Sequence, residues 1–595
     1  MASFPLPTTV GHLSKNPSPP SAASFSSSTS TTTTSNSQFF LNQKRSHAKK
    51  FLSCRAAKDS ADKEALSDGK FDRRDILVGL GAGLYGTTAV SGAAFAAPID
   101  VTKCGEATTL PTGVTKIDCC PPPNPDIIDF TFPSKTQPLR IRPPAHTLDA
   151  KYVAKFKKAM QLMRDLPSDD PHSFAQQAAI HCAYCDSSYQ MVGFPNKKID
   201  VHFSWLFFPF HRWYLYFYEK ILGKLIDDPT FGLPFWNWDS PAGAPIPSIF
   251  ADTSSPLYDV LRDASHQPPL MADLNYSSSV ASLTGDELIK SNNTVMYNQM
   301  VSSAKTPELF FGKPYRAGDD QIKGQGAIEN IPHTQIHIWT GDPNQPNGED
   351  MGRFYSAGRD PIFYSHHANV DRMWNIWKTL PGKNRKDFTD TDYLDSAFLF
   401  YDENKQLVRV KVRDCLDTKK LGYDYKEVPL PWLKSRPVRK AKKASKGGAG
   451  SANAAEAPTP IEDASTAFPK VLDKIIKVNV PRPKKSRTQE EKEDEEEILE
   501  IDGIEYDGDE YIKFDVYIND EDEVQSGPAN AEFAGAFSNV PFKVSKKVKT
   551  NLSLGITELL EDLGADDDEG LVVAIVPRTG TGKVTIGSVK IKISS

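Results

Sequence analysis

Seven of the twelve histidines fall in two groups, His181, His202 and His211, then His333, His337, His366 and His367, inside a segment that also holds most of the eight tryptophans. This constrains the fold more than any other feature. A lone buried imidazole is satisfied by one neighbour, but seven among aromatic side chains need a common partner. His333 and His337 are spaced i, i+4, so on a helix they project from one face about 40° apart and can grip one ion. His202 and His211 are nine apart and would face opposite sides of a continuous helix. His202 is therefore expected in a loop before Pro209, folded back over the helix that presents His211.

The donor set narrows the ion. Neutral imidazole suits zinc, copper, iron and nickel, but His333-Thr334-Gln335-Ile336-His337 lacks the glutamate of a zinc peptidase. Six imidazoles without a carboxylate ligand favour a pair of redox-active ions, each on three histidines, with copper the best candidate.

Length and charge set the surroundings. A chain of 595 residues has room for two or three domains, and a net charge of -6 from 76 acidic and 70 basic residues indicates neither a nucleic-acid-binding surface nor an acidic disordered chain. Residues 1–58 contain no Asp or Glu and are rich in Ser and Thr, the composition of an organelle transit peptide. Arg73-Arg74, the apolar stretch Ile76–Ala94 and the small-x-small site Ala94-Phe95-Ala96 then read as a twin-arginine signal cleaved before Ala97. Five glycines within that stretch argue against a stable membrane span. The two addresses in series imply plastid import, then the twin-arginine machinery and the thylakoid lumen.

Beyond the leader, helical periodicity begins near Thr147, and Asp170-Pro171 reads as an N-cap and first helical residue for a helix through Phe174, Ala178 and His181. Pro209 and Asp360-Pro361 likewise open helices over 210–225 and 362–377, and a short one surrounds His333 to Trp339. The expected fold is a mainly α catalytic domain, a four-helix bundle with long loops, over 97–432. A flexible, protease-sensitive linker follows over 433–465, where Lys440, Lys442, Lys443 and Lys446 offer cleavage sites. Alternation at Phe514, Val516 and Ile518, and again at Val589, Ile591 and Ile593, predicts a β-sandwich-like domain over 466–595. The acidic run Glu490–Glu497 is expected to be a solvated loop. Cys104, Cys119, Cys120, Cys182 and Cys185 cluster near the Pro-rich arm 97–144, where disulfides would tie the arm to the core.

Taken together, the sequence resembles the plant polyphenol oxidases, the catechol oxidase and tyrosinase family with a type-3 dicopper centre. The likeness rests on His181-Cys182-Ala183-Tyr184-Cys185, His202-Phe203-Ser204-Trp205, Phe207-Phe208-Pro209-Phe210-His211-Arg212-Trp213, His333-x-x-x-His337, Asp360-Pro361-Ile362-Phe363-Tyr364-Ser365-His366-His367-Ala368-Asn369-Val370-Asp371-Arg372 and, in the tail, Lys513-Phe514-Asp515-Val516. The resemblance implies two copper ions, one on His181, His202 and His211, the other on His333, His337 and His367, with His366 beside them. It implies a thioether from Cys185 to His202 and disulfides Cys104–Cys120 and Cys119–Cys182. Phe354 matches a gate residue over the second copper, Glu329 a carboxylate that holds a water, and Tyr423-Asp424-Tyr425 a tyrosine motif near the domain's end. The implied activity is O₂-dependent oxidation of o-diphenols to o-quinones, with O₂ reduced to water and monophenol hydroxylation weak or absent because Thr334 stands where Asn favours it. The tail is expected to shield the site until an activating protease displaces it. The alternatives are a specialised phenol oxidase of pigment or lignan synthesis and, from another class, a haemocyanin-like O₂ carrier, which the plastid address and the Cys185 thioether disfavour.

Overall fold

Five helices frame the histidines: α1 (Ala150–Arg164), α2 (Phe174–Cys185), α3 (Phe207–Leu225), α4 (Thr334–Thr340) and α5 (Ile362–Trp377). The computed structural model describes residues 99–107, 116–345, 348–440, 461–520, 526–542 and 547–594. The leader and Lys442, Lys443 and Lys446 lie outside the described residues. Among the described residues no helix is long and apolar enough to cross a membrane.

Local chemistry explains most helix starts. Asp149 caps α1 by accepting from Tyr152 N–H, and Phe156, Ala159, Met160 and Met163 form its buried stripe. The cap of α2 is Ser173, which accepts from Gln176 N–H, not Asp170. Asp170 instead accepts from His172 N–H in a turn just before the helix, so the expected start was three residues early. Helix α3 begins at Phe207 and takes Pro209 into its first turn, where a missing N–H costs nothing. Asp360 opens α5 as expected, its carboxylate accepting from Ile362 N–H at 2.9 Å. Disulfide Cys104–Cys120 closes the arm on itself, and Cys119–Cys182 ties it to α2.

A buried ionic cluster locks α3 to α5. Asp371 accepts from Arg212 at 2.5 Å, Arg142 at 3.2 Å, Tyr423 at 2.7 Å and Tyr425 at 2.5 Å, while Glu219 binds Arg140 and Arg142, both at 2.7 Å. Buried charges are tolerated only when their lone pairs and protons are matched in this way. Arg212 follows His211 directly and Asp371 lies one turn past His367, so the cluster fixes the two helices that present those imidazoles. The tyrosine motif is part of the same lock, because Tyr423–Tyr425 pairs in parallel with Arg140–Arg142.

The tail builds two five-stranded sheets. One runs in the order Phe533–Ser538, Lys513–Ile518, Gly570–Thr579, Ile476–Pro481, Glu462–Asp463; the other centres on Glu496–Asp507, flanked by Lys547–Gly555 and Ser588–Ser594. Strand Lys513–Ile518 is buried at all six positions rather than on alternate ones. The catalytic domain covers its second face: Tyr517, Phe533 and Ala536 join the apolar core that surrounds the helices. The polar residues of that face satisfy one another, Asp515 pairing with Lys513 at 2.8 Å and Arg578 at 2.6 Å. The acidic run also departs from a plain solvated loop. Gln489–Asp494 is an exposed helix with a Thr488/Glu491 capping box, while Glu496 and Glu497 are buried in the next strand, Glu497 bound to Arg482.

Candidate metal centre

Helix α2 carries His181 and, one turn on, Cys185; α3 carries His211; α4 carries His337, with His333 on the turn before it; α5 carries His366 and His367. His202 lies in the loop before α3, and Phe203 makes the fold-back with φ 55°. That left-handed conformation costs a non-glycine residue about 1 kcal/mol. Its hydrogen bonds offset the cost: Phe203 N–H donates to Glu329 Oε1 at 2.6 Å, and its carbonyl accepts from Gly324 N–H at 2.8 Å and Lys323 N–H at 3.1 Å.

The nitrogens sort into two kinds. Nδ1 of His181, His211, His333 and His337 donates to the carbonyls of Phe354 (2.7 Å), Phe207 (2.8 Å), Glu329 (3.0 Å) and Met351 (2.7 Å). A neutral ring whose Nδ1 carries the proton offers a lone pair at Nε2. Nε2 of His181, His202, His211 and His333 is buried without a protein partner, and Nε2 of His337 and His367 face each other at 3.4 Å. Burial holds all of these rings well below the usual histidine range, His202 and His337 at about 3, so they are neutral. Convergent, buried, unpartnered lone pairs on neutral imidazoles suit a metal ion. The donor atoms of His181, Cys185, His202 and His211 lie within 4.8 Å of one another, as do those of His333, His337, His366 and His367. The rings of His211 and His367 stack at 4.0 Å, so the groups adjoin.

His366 differs from its neighbours. Trp238 Nε1–H donates to its Nδ1 at 3.1 Å, which takes that lone pair and leaves the proton on Nε2.

The Phe354 ring, expected over the second ion, lies instead above the first group, stacked on His202 at 4.1 Å and 5.9 Å from the ring of Phe542, which belongs to the tail. Phe542 is also 6.0 Å from Phe203, and both Phe203 and Phe354 are packed in the tail's apolar cluster. Glu329 is buried, with Oε2 lacking a protein partner, and burial pushes its carboxyl well above the usual range. The next residue, Asn330, grips the tail: its amide donates to Ala536 O at 2.6 Å and accepts from Ser538 N–H at 3.0 Å. It occupies the hydrogen-bonding edge of the sheet's outermost strand. Sequence reasoning singled out neither Phe542 nor Asn330, because both act across the domain boundary.

Three family descriptions match in series: the common central domain of tyrosinase over 171–380, the polyphenol oxidase middle domain over 387–438 and the chloroplastic polyphenol oxidase C-terminal domain over 468–593. The chain is 55% identical to the chloroplastic polyphenol oxidase of Malus domestica over 564 residues, 93% of this chain and 94% of that protein. The chain belongs to the plant chloroplastic polyphenol oxidase family. Within this family it is also 53% identical to the aureusidin synthase of Antirrhinum majus, over 86% of this chain and 92% of that one. A solved structure of latent apple tyrosinase superposes with a TM-score of 0.74 at 58% identity, covering 79% of this chain and all of that one. The protein is thus a copper enzyme of the tyrosinase family with two histidine-rich metal sites and a C-terminal shielding domain.

Proposed function

We propose that the chain oxidises o-diphenols to o-quinones at two copper ions, one held by His181, His202 and His211 and the other by His333, His337 and His367. The convergent Nε2 lone pairs carry this reading; His366 Nε2 is also buried without a partner, and the Trp238 hydrogen bond, which leaves the proton on it, supports placing His366 beside the ligand set. When bound, the copper pair would supply a two-electron redox couple, so that two diphenols are oxidised for each O₂ reduced to two waters. The protein's own residues orient the imidazoles through backbone carbonyls, exclude water with Phe207, Phe354 and Phe363, and offer Glu329 Oε2 to hold the water that takes the proton a diphenol releases. The Thr334 hydroxyl donates to Glu329 O at 3.0 Å and is not available to position a phenol's proton acceptor, which favours diphenols over monophenols. In O₂-uptake assays on the enzyme freed of its tail, a catechol should react at least about tenfold faster than the matching monophenol, since a phenol near pKa 10 stays protonated. Equal rates without a lag would remove the diphenol preference, and no uptake with either would remove the function. The likeness to aureusidin synthase supports a second reading, a specialised pigment enzyme, which production of aureusidin faster than turnover of a simple catechol would favour.

The mature protein is proposed to begin at Ala97, in the thylakoid lumen, with the catalytic domain to residue 432, a linker to 465 whose ends at Arg436–Lys440 and Glu462–Asp463 pair with the tail, and the shielding domain beyond, released by a protease. Cys185, buried among the first group's donors, is proposed to be joined to the His202 ring. Forming that thioether removes one hydrogen from each partner, with O₂ taking the two electrons. Cys185 should then resist thiol reagents in the unfolded, fully reduced copper enzyme, while Cys104, Cys119, Cys120 and Cys182 react. A free thiol at Cys185 in peptide mass maps would exclude the bond.

A further inference from the structure

One loop serves both histidine groups. Gly348–Ala357 offers Met351 O to His337 Nδ1 and Phe354 O to His181 Nδ1, both at 2.7 Å. A shift of this loop therefore turns one imidazole in each group. The loop is tightly closed: a Cβ on Gly352 would lie 2.5 Å from Gly348 O, and one on Gly341 would lie 2.6 Å from Gly352 N. Within the loop, Asp350 O accepts from Ser356 Oγ at 2.9 Å and Arg353 N–H at 3.3 Å.

The Asp350 side chain, 8% exposed, leaves the loop and hydrogen-bonds to Asp259. Two carboxyl groups can share a hydrogen bond only if one holds a proton. Asp259 also accepts from Leu261 N–H at 2.7 Å, and burial together with the Asp259 charge raises the Asp350 carboxyl, so Asp350 holds the shared proton. The charges that face this pair leave the proton in place. Asp360 is a third carboxylate, and it takes both arms of Arg262 at 2.7 and 2.5 Å. Arg359 is exposed, and Arg353 and Glu349 flank the pair on the loop itself. Burial and Asp259 together push the Asp350 carboxyl up to about 8. The same cluster reaches the helices: Asp360 caps α5, and Arg262 pairs with Gly341 just past α4.

We propose that Asp350 is a positioning residue for the copper centre, its carboxyl tying to Asp259 the loop whose carbonyls orient His181 and His337. The inference rests on the ligand assignment above. In the unfolded chain Asp350 ionises near pH 4, whereas in the folded chain it stays neutral far higher. Its stabilising contribution is therefore complete below the unfolded value, declines as pH rises between the two values and reaches its floor above the folded one. Asp350→Asn keeps a donor for Asp259 and removes the ionisation, so it should remove that decline.

The test uses the full-length mature copper enzyme and two readouts other than turnover. Thermal melting at pH 5, 6.5 and 8 should give D350N a Tm advantage over the natural chain that grows by a few degrees from pH 5 to 8. Release of copper to a chelator should quicken several-fold in the natural chain between pH 6.5 and 9, stay level in D350N, and be fast at both pH values in D350A. D350N tracking the natural chain in both readouts would overturn the proposal, as would D350A holding copper normally. His337→Ala and His181→Ala, run alongside, separate this outcome from a failed ligand assignment: if those variants keep two coppers, the assignment itself is wrong.

Discussion

Replacing His211 or His337 with alanine should take activity to background and copper content from two ions per chain toward one or none. Each ring has one nitrogen committed to a backbone carbonyl and the other available to the ion, so alanine removes a ligand and leaves that carbonyl without its donor. The stacking of His211 on His367 means that a loss in one group also loosens the other. The tail should keep its β structure, because it contains no histidine and has its own apolar core. His366→Gln is the informative contrast. A glutamine carbonyl can take the Trp238 N–H, so this variant should retain both coppers. Metal analysis together with circular dichroism on the three variants checks the set; one zinc and no copper in the natural chain would contradict the whole assignment.

Removing the tail should raise activity by at least about tenfold, with diphenol oxidation in the mature chain before and after trimming near Ser435 as the measurement. A linked domain is held at an effective concentration near the millimolar range, so even modest contacts keep it docked. Here the contacts are substantial: the Asn330 grip, Phe542 against Phe354 and Phe203, Lys313 to Glu500 at 3.0 Å and Lys305 to Glu558 at 3.2 Å. Phe542→Ala in the uncut chain should give partial activation, because it removes the ring that covers Phe354. Acid should act on the same contacts. Burial alone would raise the Glu500 carboxyl, but Lys313 and Lys592 hold it down at about 2 in the docked state. Lys592 lies in the tail and stays with Glu500 on release, so the docking contribution is the part due to Lys313 alone; it is present above the value Glu500 has in the undocked tail and is lost as pH falls toward 2. The tail's acidic clusters around Glu493 and Asp566 are less informative, since Asp566 is bound to Lys492 within the tail itself. A folded, copper-loaded trimmed chain no more active than the uncut one would end the shielding account.

The site was more legible in the sequence than its control. Spacing alone placed His333 and His337 on one face and put His202 in a loop, because those inferences depend on helix geometry within a few residues. The Ser173 cap was missed for a local reason: Asp170-Pro171 carries the same signal three residues earlier, and only the backbone turn decides between them. Strand Lys513–Ile518 misled in the opposite way, since alternation implies a wet face unless another domain covers it. Phe542, Asn330 and the Asp259–Asp350 pair were invisible because each joins segments far apart in the chain, and no periodicity records such a meeting.

The stretch after Trp432 bears on how latency ends. Arg436 binds Asp562 at 2.8 Å, Val438 forms a parallel bridge with Asn530 and accepts from Ala531 N–H at 3.0 Å, and Lys440 N–H donates to Glu532 at 3.1 Å. The catalytic chain thus ends in a strap that is itself fastened to the domain it must release. A cut beyond Lys440 severs the covalent tether but leaves this strap buckled, whereas a cut before Arg436 removes strap and tether together. Scission and release are then separate events, and the position of the nick relative to five residues decides whether an enzyme already in two pieces is still asleep.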